Sequence, residues 1–325
     1  MIPSKSLLAF FLLMLAVVLP STKAQADEDG YVFILAAHDN PYWNILGEGI
    51  KDAAKAKGIT PVIYEAQNGR DAEGELTICL TALLRKPKII VMGSLNSSVG
   101  IQCFKKAVAQ GIMVADVDAT VSVDEAEKAG IKLAFSVGSD NTHVGGEAAK
   151  YVQTVTVKPD PKILIIEGIA GSVPNQKRVT GFRSKIQALM PQAIIVASLS
   201  AEGDRLKAMN VALDVIQRQP DLDIIYAAND DMALGAAEAV RTLHRETRIK
   251  IIGVDGTADA RKAILDGRLN ASVAQLPYLM GKRSVDLAID AVTNHKTGQS
   301  ETTATPVLDK ALLIANTDPL LRYVR

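Results

Sequence analysis

The segment Asp39-Asn40-Pro41-Tyr42-Trp43 combines a carboxylate, a carboxamide and two large aromatic rings within five residues. It follows the apolar run Tyr31 to Leu35 and contains the only tryptophan of the chain. Carboxylates and carboxamides pair with hydroxyl groups, whereas aromatic faces cover C–H surfaces. The combination is typical of a pocket that holds a polyhydroxylated ring.

The same residues have simpler interpretations that the local pattern leaves open. Asn40 before Pro41 is a common helix start, in which the amide caps the helix and proline takes its first position. Tyr42 and Trp43 are equally compatible with the hydrophobic core, because aromatic residues bury much area wherever they lie.

Polar groups also follow several of the other apolar runs. Ligands of open parallel sheets bind beyond the carboxyl ends of the strands, where the loops converge. Planar carboxylates, carboxamides and guanidinium groups can each engage two neighbouring hydroxyls, and one arginine among several carboxylates suits a neutral sugar better than a phosphate or a sugar acid. The predicted ligand-binding residues are Asn40, Tyr42, Trp43, Asp118, Arg178, Asn229, Asp255 and Gln275. Helix capping by Asn229, turn formation by Asp255 and loop hydrogen bonding by Gln275 remain alternatives.

These residues need a scaffold of strands, and ten short apolar runs alternate with amphipathic helical patterns. Continuous apolar strands that are each followed by a helix favour parallel sheets covered on both faces. We therefore predict the α/β class, with two doubly wound sheets divided by the polar break at 155–161. The strand candidates are 31–35, 61–64, 88–92, 112–115, 133–137, 162–167, 193–197, 223–227, 250–254 and 271–274.

Motifs that resemble enzyme signatures fail on their context. Gly47 and Gly49 resemble the start of a dinucleotide fingerprint but lie within a helical pattern. Gly168 to Gly171 leaves a strand but lacks the lysine and hydroxyl of a phosphate-binding loop. The four histidines are scattered, so no metal site is indicated. We expect a binding protein with no catalytic residues, no metal and no cofactor.

Residues 1–26 form a separate pattern at the amino terminus. Lys5 precedes a thirteen-residue apolar stretch from Leu7 to Leu19, and Ala24-Gln25-Ala26 matches a signal-peptidase site. The stretch is short for a transmembrane helix. We predict a cleavable signal peptide and a free periplasmic protein, with an uncleaved membrane anchor as the alternative.

Length and charge narrow the class of protein further. About three hundred residues beyond the leader suggest roughly two domains. Thirty-six basic and thirty-six acidic residues cancel, so no long-range field attracts nucleic acid or anionic lipid. Cys79 and Cys103, the only cysteines, are equally compatible with a disulfide and with two buried thiols.

Seven clusters follow one another in a recognisable order along most of the chain. They are Asn40 to Trp43, Ser139 to Asn141, Glu167 to Gly171, Gly203 to Arg205 with Asn210, Asn229 to Gly235, Asp255 to Thr257, and Ala274 to Pro277. From Tyr31 to about Pro277 the chain resembles the periplasmic sugar-binding proteins of the ribose and allose type.

The resemblance implies a role for each candidate residue and an arrangement of the chain. Asn40, Asp118, Arg178, Asn229, Asp255 and Gln275 match positions that hydrogen-bond the sugar, and Tyr42 and Trp43 match rings that sandwich it. It also implies two lobes joined by three crossings, near Ser139, Gln275 and residue 305. The expected lobes are 27–139 with 276–305 and 140–275 with 306–325.

Four positions depart from the family pattern. Ala36 and Ala119 replace polar or charged residues, and Gly203 and Val254 replace aromatic ones. We expect these four positions to line the pocket and to make it wider and less polar than a ribose site, which favours a larger sugar, a differently substituted one or a polyol over ribose.

The resemblance implies a solute-binding component of an ABC importer, with a membrane permease and its ATPase as partners. The alternative is a receptor of the same fold that presents a sugar or furanosyl signal to a chemoreceptor or sensor kinase. The sequence does not separate these two roles.

Overall fold

A computed structural model describes residues 30–67 and 71–323 as two α/β units, each built on a six-stranded sheet. The predicted signal peptide at 1–26 lies outside the described residues. Within the described ranges, no helix has the length and apolar character needed to span a membrane.

Strands and helices alternate along the chain. The order begins with β1 (Tyr31–Leu35), α1 (Pro41–Lys57), β2 (Val62–Glu65), α2 (Ala72–Leu84), β3 (Ile89–Gly93), α3 (Ser97–Val108), β4 (Met113–Val117), α4 (Val123–Lys128) and β5 (Phe135–Ser139). It continues with α5 (Asn141–Val155), β6 (Lys162–Glu167), α6 (Val173–Leu189), β7 (Ile194–Ser200), α7 (Arg205–Arg218), β8 (Ile224–Ala227), α8 (Asp230–Thr242), β9 (Lys250–Asp255), α9 (Ala258–Leu265) and β10 (Ala271–Ala274). It ends with α10 (Pro277–Asn294), β11 (Gln299–Thr303), β12 (Val307–Asp309), α11 (Lys310–Ala315) and a 3₁₀ turn (Pro319–Tyr323).

The two sheets repeat one topology. The first has the order β11-β5-β4-β3-β1-β2 and the second has the order β12-β10-β9-β8-β6-β7. Every pairing is parallel except that of β12 with β10. The predicted class of two doubly wound parallel sheets is confirmed.

The prediction of ten strands is confirmed, but some of the predicted strand ends differ from those in the structure. All ten predicted strands form, mostly with ends shifted by one or two residues. Strands β11 and β12 were missed because they lie at sheet edges and are short or polar, so no continuous apolar run marks them.

The chain passes between the sheets at three places: between β5 and α5, between β10 and α10, and between β11 and β12. Helix α5 packs against α6 and shares the core of the second sheet through Val144 and Val152. The polar break at 155–161 therefore lies inside the second unit. The prediction that it divides the two sheets was wrong.

A disulfide joins Cys79 of α2 to Cys103 of α3, both with no solvent exposure. The alternative of two buried thiols is therefore excluded. The bond cross-links the two helices that cover one face of the first sheet, together with the apolar cluster that includes Phe104 and Leu83.

We predict that replacing both cysteines with alanine lowers the free energy of unfolding by about 3 kcal/mol, because the unfolded chain loses its cross-link. Urea unfolding of the mature protein measures this difference. Dithiothreitol should destabilise the wild type and leave the double variant unchanged. Equal unfolding midpoints under oxidising conditions would contradict the prediction.

Candidate functional site

A cavity of about 350 Å³ lies between the two units, lined by residues at the carboxyl ends of strands from both sheets. The first unit contributes the segments after β1, β3 and β4, and the second contributes those after β6 to β10. The structure brings all eight predicted residues to this cavity: Asn40, Tyr42, Trp43, Asp118, Arg178, Asn229, Asp255 and Gln275.

The start of α1 forms one wall, and here the simpler interpretations hold together with the functional one. The Asn40 side chain caps the helix by accepting a hydrogen bond from the Tyr42 amide at 3.0 Å. Tyr42 and Trp43 are 5% and 8% exposed and belong to the core of the first unit, yet both line the cavity. Residues 40–43 thus cap the start of α1, contribute to the core and line the cavity.

The two aromatic rings do not form the expected sandwich. Their centroids lie 5.3 Å apart and their planes are nearly perpendicular, at 86°, so they touch edge to face and leave no slot between them. The Tyr42 hydroxyl donates a hydrogen bond to Asp118 Oδ1 at 2.5 Å and also contacts Met280 Sδ at 3.3 Å. Tyr42 therefore braces Asp118, and the aromatic cover comes from the first unit alone.

Gly93, the last residue of β3, sets the position of the indole. A Cβ built on Gly93 would lie 2.7 Å from Trp43 Cη2. Real Cβ contacts are longer than this, so the indole occupies space that any other residue at position 93 would fill.

A salt bridge lies at the centre of the cavity wall on the second unit. Arg178 Nη1 lies 3.1 Å from Asp255 Oδ1 and donates to the Ala228 carbonyl at 2.8 Å. Gln275 Nε2 donates to the same Asp255 oxygen at 2.8 Å. The planar groups expected to bind a ligand therefore hold each other in place.

Asn141 connects this cluster to the crossing between β5 and α5, and sequence reasoning gave it no role. Its Oδ1 accepts from Arg178 Nε at 2.8 Å, and its Nδ2 donates to the Ser139 carbonyl at 3.2 Å. Its place in the Ser139 to Asn141 cluster, one of the seven that match the family, could have indicated a role at the site. Asn229, like Asn40, both caps a helix, accepting from the Met232 amide at 2.9 Å, and lines the cavity.

Three positions differ from the sequence-based expectation. Arg178 lies inside α6 and not in the loop after β6, because the first turns of that helix already face the strand ends. Of the four departures, Ala36 and Gly203 line the cavity but Ala119 and Val254 do not. Ala119 is directed at Gly138, and Val254 lies in the core of the second unit. Only two departures therefore widen the site.

The rim of the cavity includes charged residues beyond the eight predicted ligand-binding residues. Arg205 pairs with Asp231 at 2.8 Å and with Asp259 at 3.3 Å, and both Arg205 and Asp231 line the cavity. Asp39 and Glu202 also line it. Because each lies within a few residues of a strand end, the rule that located the eight could have found them.

Burial dominates the electrostatics of the site. It raises the pKa of Asp118 to about 7, although the Tyr42 hydrogen bond and the positive Arg178 oppose the rise. Burial also raises the pKa of Asp255, again against the effect of Arg178. Burial and the nearby Asp118 raise the pKa of Tyr42, which keeps its hydroxyl protonated as the donor to Asp118.

Such a site is suited to hydrogen bonding. Carboxylate and amide oxygens accept from hydroxyl groups, and the guanidinium and amide NH groups donate to them. Among residues 30–67 and 71–323 there is no group of three or more His, Cys, Asp or Glu side chains placed to hold a metal ion. Two parallel-sheet units of one topology with a polar cavity at their strand ends define the class of two-lobed binding proteins.

The chain belongs to the family of periplasmic binding proteins, since residues 31–296 match the family model described as a periplasmic binding protein domain. It is 32% identical over 276 residues to the D-allose-binding periplasmic protein of Escherichia coli (strain K12), covering 85% of this chain and 88% of that protein. It is 31% identical over 282 residues to a ribose import binding protein of Bacillus subtilis (strain 168), covering 85% and 86%. The resemblance inferred from the seven clusters is confirmed.

Solved structures agree with this assignment. An ABC transporter periplasmic solute binding protein from Actinobacillus succinogenes 130z, with bound D-allose, superposes with a TM-score of 0.81 at 26% identity, covering 88% of this chain and 99% of that chain. A solute binding protein from Agrobacterium vitis with bound D-fucose gives a TM-score of 0.80 at 26% identity, covering 90% and 99%.

We predict that Asp118→Asn raises the melting temperature of the unliganded protein more at pH 8 than at pH 5. The unfolded-state pKa is about 4, and the folded-state pKa is about 7. The stability that Asp118 contributes is complete below the unfolded pKa and is lost as the pH rises through the folded pKa. Asparagine tolerates the positive φ of 80° at this position and keeps an acceptor for Tyr42.

Thermal unfolding of both proteins from pH 5 to pH 8 measures this difference. Asp39→Asn, which removes an exposed carboxylate from the same cavity, is the control variant. A pH-independent difference for Asp118→Asn would contradict the prediction.

We also predict that Gly93→Ala displaces the indole of Trp43 and weakens ligand binding by at least about 1 kcal/mol, because the new methyl group overpacks the cavity wall. Trp43 is the only tryptophan, so its fluorescence reports the displacement directly. Gly146→Ala is the matched control, since its added Cβ would meet only Lys185 side-chain atoms, at 3.8 Å and beyond. Unchanged emission and affinity in Gly93→Ala would refute this account.

Proposed function

We propose that the protein is the periplasmic solute-binding component of an ABC importer, and that it binds a monosaccharide or a related polyol in the cavity between its units. One observation carries the proposal: eight side chains predicted from separate parts of the sequence line one cavity of about 350 Å³. The relatives named as D-allose-binding and ribose import proteins support a sugar as the ligand.

The ligand would bind by hydrogen bonds to both units at once. Asn40 and Asp118 belong to the first unit, whereas Arg178, Asn229 and Asp255 belong to the second. Hydrogen bonds to charged groups contribute about 1.5 to 3 kcal/mol each. Contacts that form only when both units engage the ligand shift the population toward the closed form by their differential affinity.

Movement between the units would occur at the three crossings. We propose that the lobes are 27–139 with 276–305 and 140–275 with 306–325, with Gln275 at the second crossing. Hinge closure is the usual motion of periplasmic binding proteins. The closed protein would deliver its ligand to a membrane permease with an associated ATPase, after export by the signal peptide.

The cavity favours a neutral ligand larger than ribose. Ala36 and Gly203 leave space where side chains would otherwise intrude, and carboxylates outnumber arginines around the wall. We therefore expect D-allose to bind more tightly than D-ribose. Thermal-shift screening of the mature protein against monosaccharides, polyols and short oligosaccharides tests the proposal.

We predict that Asp255→Asn reduces the affinity for the best ligand of that screen by about tenfold or more, because it removes a buried charged acceptor. The asparagine keeps the shape of the side chain and an acceptor for Arg178, but it removes the charge paired with the buried guanidinium, so the unliganded melting temperature should also fall. Isothermal titration calorimetry measures the affinity.

Asp214→Asn is the control, because it replaces a half-exposed carboxylate that pairs with Arg218 outside the cavity. It should bind as the wild type does. If no sugar or polyol raises the melting temperature of the wild type, the proposed function fails. If Asp255→Asn binds as tightly as the wild type, the role of Asp255 fails.

A further inference from the structure

The two carboxylates most central to the cavity both lie on unusual backbone. Asp118 has φ of 80° and is followed by Ala119 at 56°, while Asp255 has φ of 118° and is followed by Gly256 at 73°. Non-glycine residues rarely adopt positive φ, and such strain persists only where surrounding contacts over-determine the conformation. Each of these two turns must therefore be stabilised by contacts with neighbouring residues.

In the second unit, the contacts that hold the turn converge on Asp230. The Thr257 amide donates to Asp230 Oδ2 at 2.8 Å. The Gly256 amide donates to Ser272 Oγ at 3.0 Å, and the Ser272 hydroxyl donates in turn to Asp230 Oδ1 at 2.7 Å. The two backbone amides that follow Asp255 are therefore linked to the Asp230 carboxyl group, one directly and one through Ser272.

In the first unit, the turn after β4 is contacted by Asp116, which lies on β4 two residues before Asp118. Its Oδ1 accepts from the Val121 amide at 2.8 Å, and its Oδ2 contacts Ser136 Oγ at 3.5 Å. The Val121 amide closes the turn that contains Asp118. In each unit a serine of the neighbouring strand, Ser136 of β5 or Ser272 of β10, completes the contact.

Neither carboxyl group can meet the ligand itself. Asp116 and Asp230 are fully buried, and neither lines the cavity. Gly253 packs so closely on Asp230 that an added Cβ would overlap its carboxylate. Their carboxyl oxygens contact backbone amides and serine hydroxyls. Such contacts fix the position of the neighbouring backbone.

From this geometry we infer that Asp116 and Asp230 are positioning residues, which fix the strained turns that present Asp118 and Asp255 to the cavity. The inference rests on the proposed function for its link to ligand binding but not for the bracing itself. Burial raises the pKa of both groups, which limits repulsion between each brace and the carboxylate beside it.

Hydrogen exchange of the unliganded mature protein tests the bracing without any ligand. In Asp230→Asn, the segment 255–258 should exchange faster while 117–121 stays unchanged, and in Asp116→Asn the reverse should hold. Ser272→Ala, a second route to the same turn, should affect 255–258 in the same direction but less. Asp266→Asn, at an exposed carboxylate paired with Lys262, is the control and should change neither segment.

Calorimetry with D-allose as the probe tests the consequence for binding. Asp230→Asn should weaken binding roughly tenfold in the wild type, the loss expected for one charged hydrogen bond. In an Asp255→Asn background the further loss should be clearly smaller, because the brace acts through Asp255.

Several results would overturn the inference: unchanged exchange in the braced segment, faster exchange throughout the chain, unchanged affinity despite local loosening, or an equal loss of affinity in both backgrounds. If D-allose does not bind the wild type, D-allose is not its ligand, and the exchange result still decides whether the two residues brace the turns.

Discussion

The arrangement of the cavity depends on one buried charge, the Arg178 guanidinium. It is 5% exposed, and a charge so buried is tolerated only when it is paired and its NH groups are hydrogen-bonded. Asp255, Asn141 and the Ala228 carbonyl meet this requirement. Most of these groups are therefore paired before any ligand enters and have little freedom to reorient, whereas the buried Gln275 Oε1 has no hydrogen-bond partner in the protein.

The same network ties the binding groups to two of the crossings between the sheets. Asn141 bonds both Arg178 and the Ser139 carbonyl at the end of β5. Gln275, which directly follows β10, donates a hydrogen bond to Asp255. A ligand that pulls on Arg178 or Asp255 therefore acts on segments that any movement between the units must bend. In the hinge closure proposed above, Asn141 and Gln275 would link ligand binding to movement, because each lies next to a crossing along the chain.

The sequence predicted the fold class and all eight cavity residues because both follow from local rules. Apolar runs followed by helices indicate parallel strands, and parallel strands place their carboxyl ends at one edge. Residues such as Asn229 and Asp255 could be found because they stand directly after such runs. The disulfide could not be predicted, since nothing local shows that α2 and α3 are neighbours.

Other features escaped sequence analysis for the same physical reason. Asp230 lies next to Asn229 in the sequence, and only the fold shows that its carboxylate faces Thr257 and Ser272 and not the cavity. The orientation of Trp43 depends on Gly93, fifty residues away. Val254 was expected at the cavity because the resemblance matched it to an aromatic position of the family pocket, but it precedes Asp255 in β9, and successive side chains of a strand point to opposite sides. Position after a strand therefore indicates where a residue lies, whereas the direction of its side chain depends on partners from other strands.

The unequal walls of the cavity bear on how selectivity arises. Aromatic surface comes only from Tyr42 and Trp43 on the first unit. On the second unit, a Cβ at Gly203 would lie 3.6 Å from Asn229 Nδ2 and 3.7 Å from Ile169 Cγ1, so only an amide and an aliphatic side chain face this position. A ligand would thus gain stacking from one unit and charged hydrogen bonds mainly from the other. In the proposed closure, the ligand must contact both units. A ring that lacks hydroxyls toward Arg178 and Asp255 would therefore bind the first unit without shifting the population toward the closed form. Discrimination between sugars should therefore depend more on the second unit than on Tyr42 and Trp43.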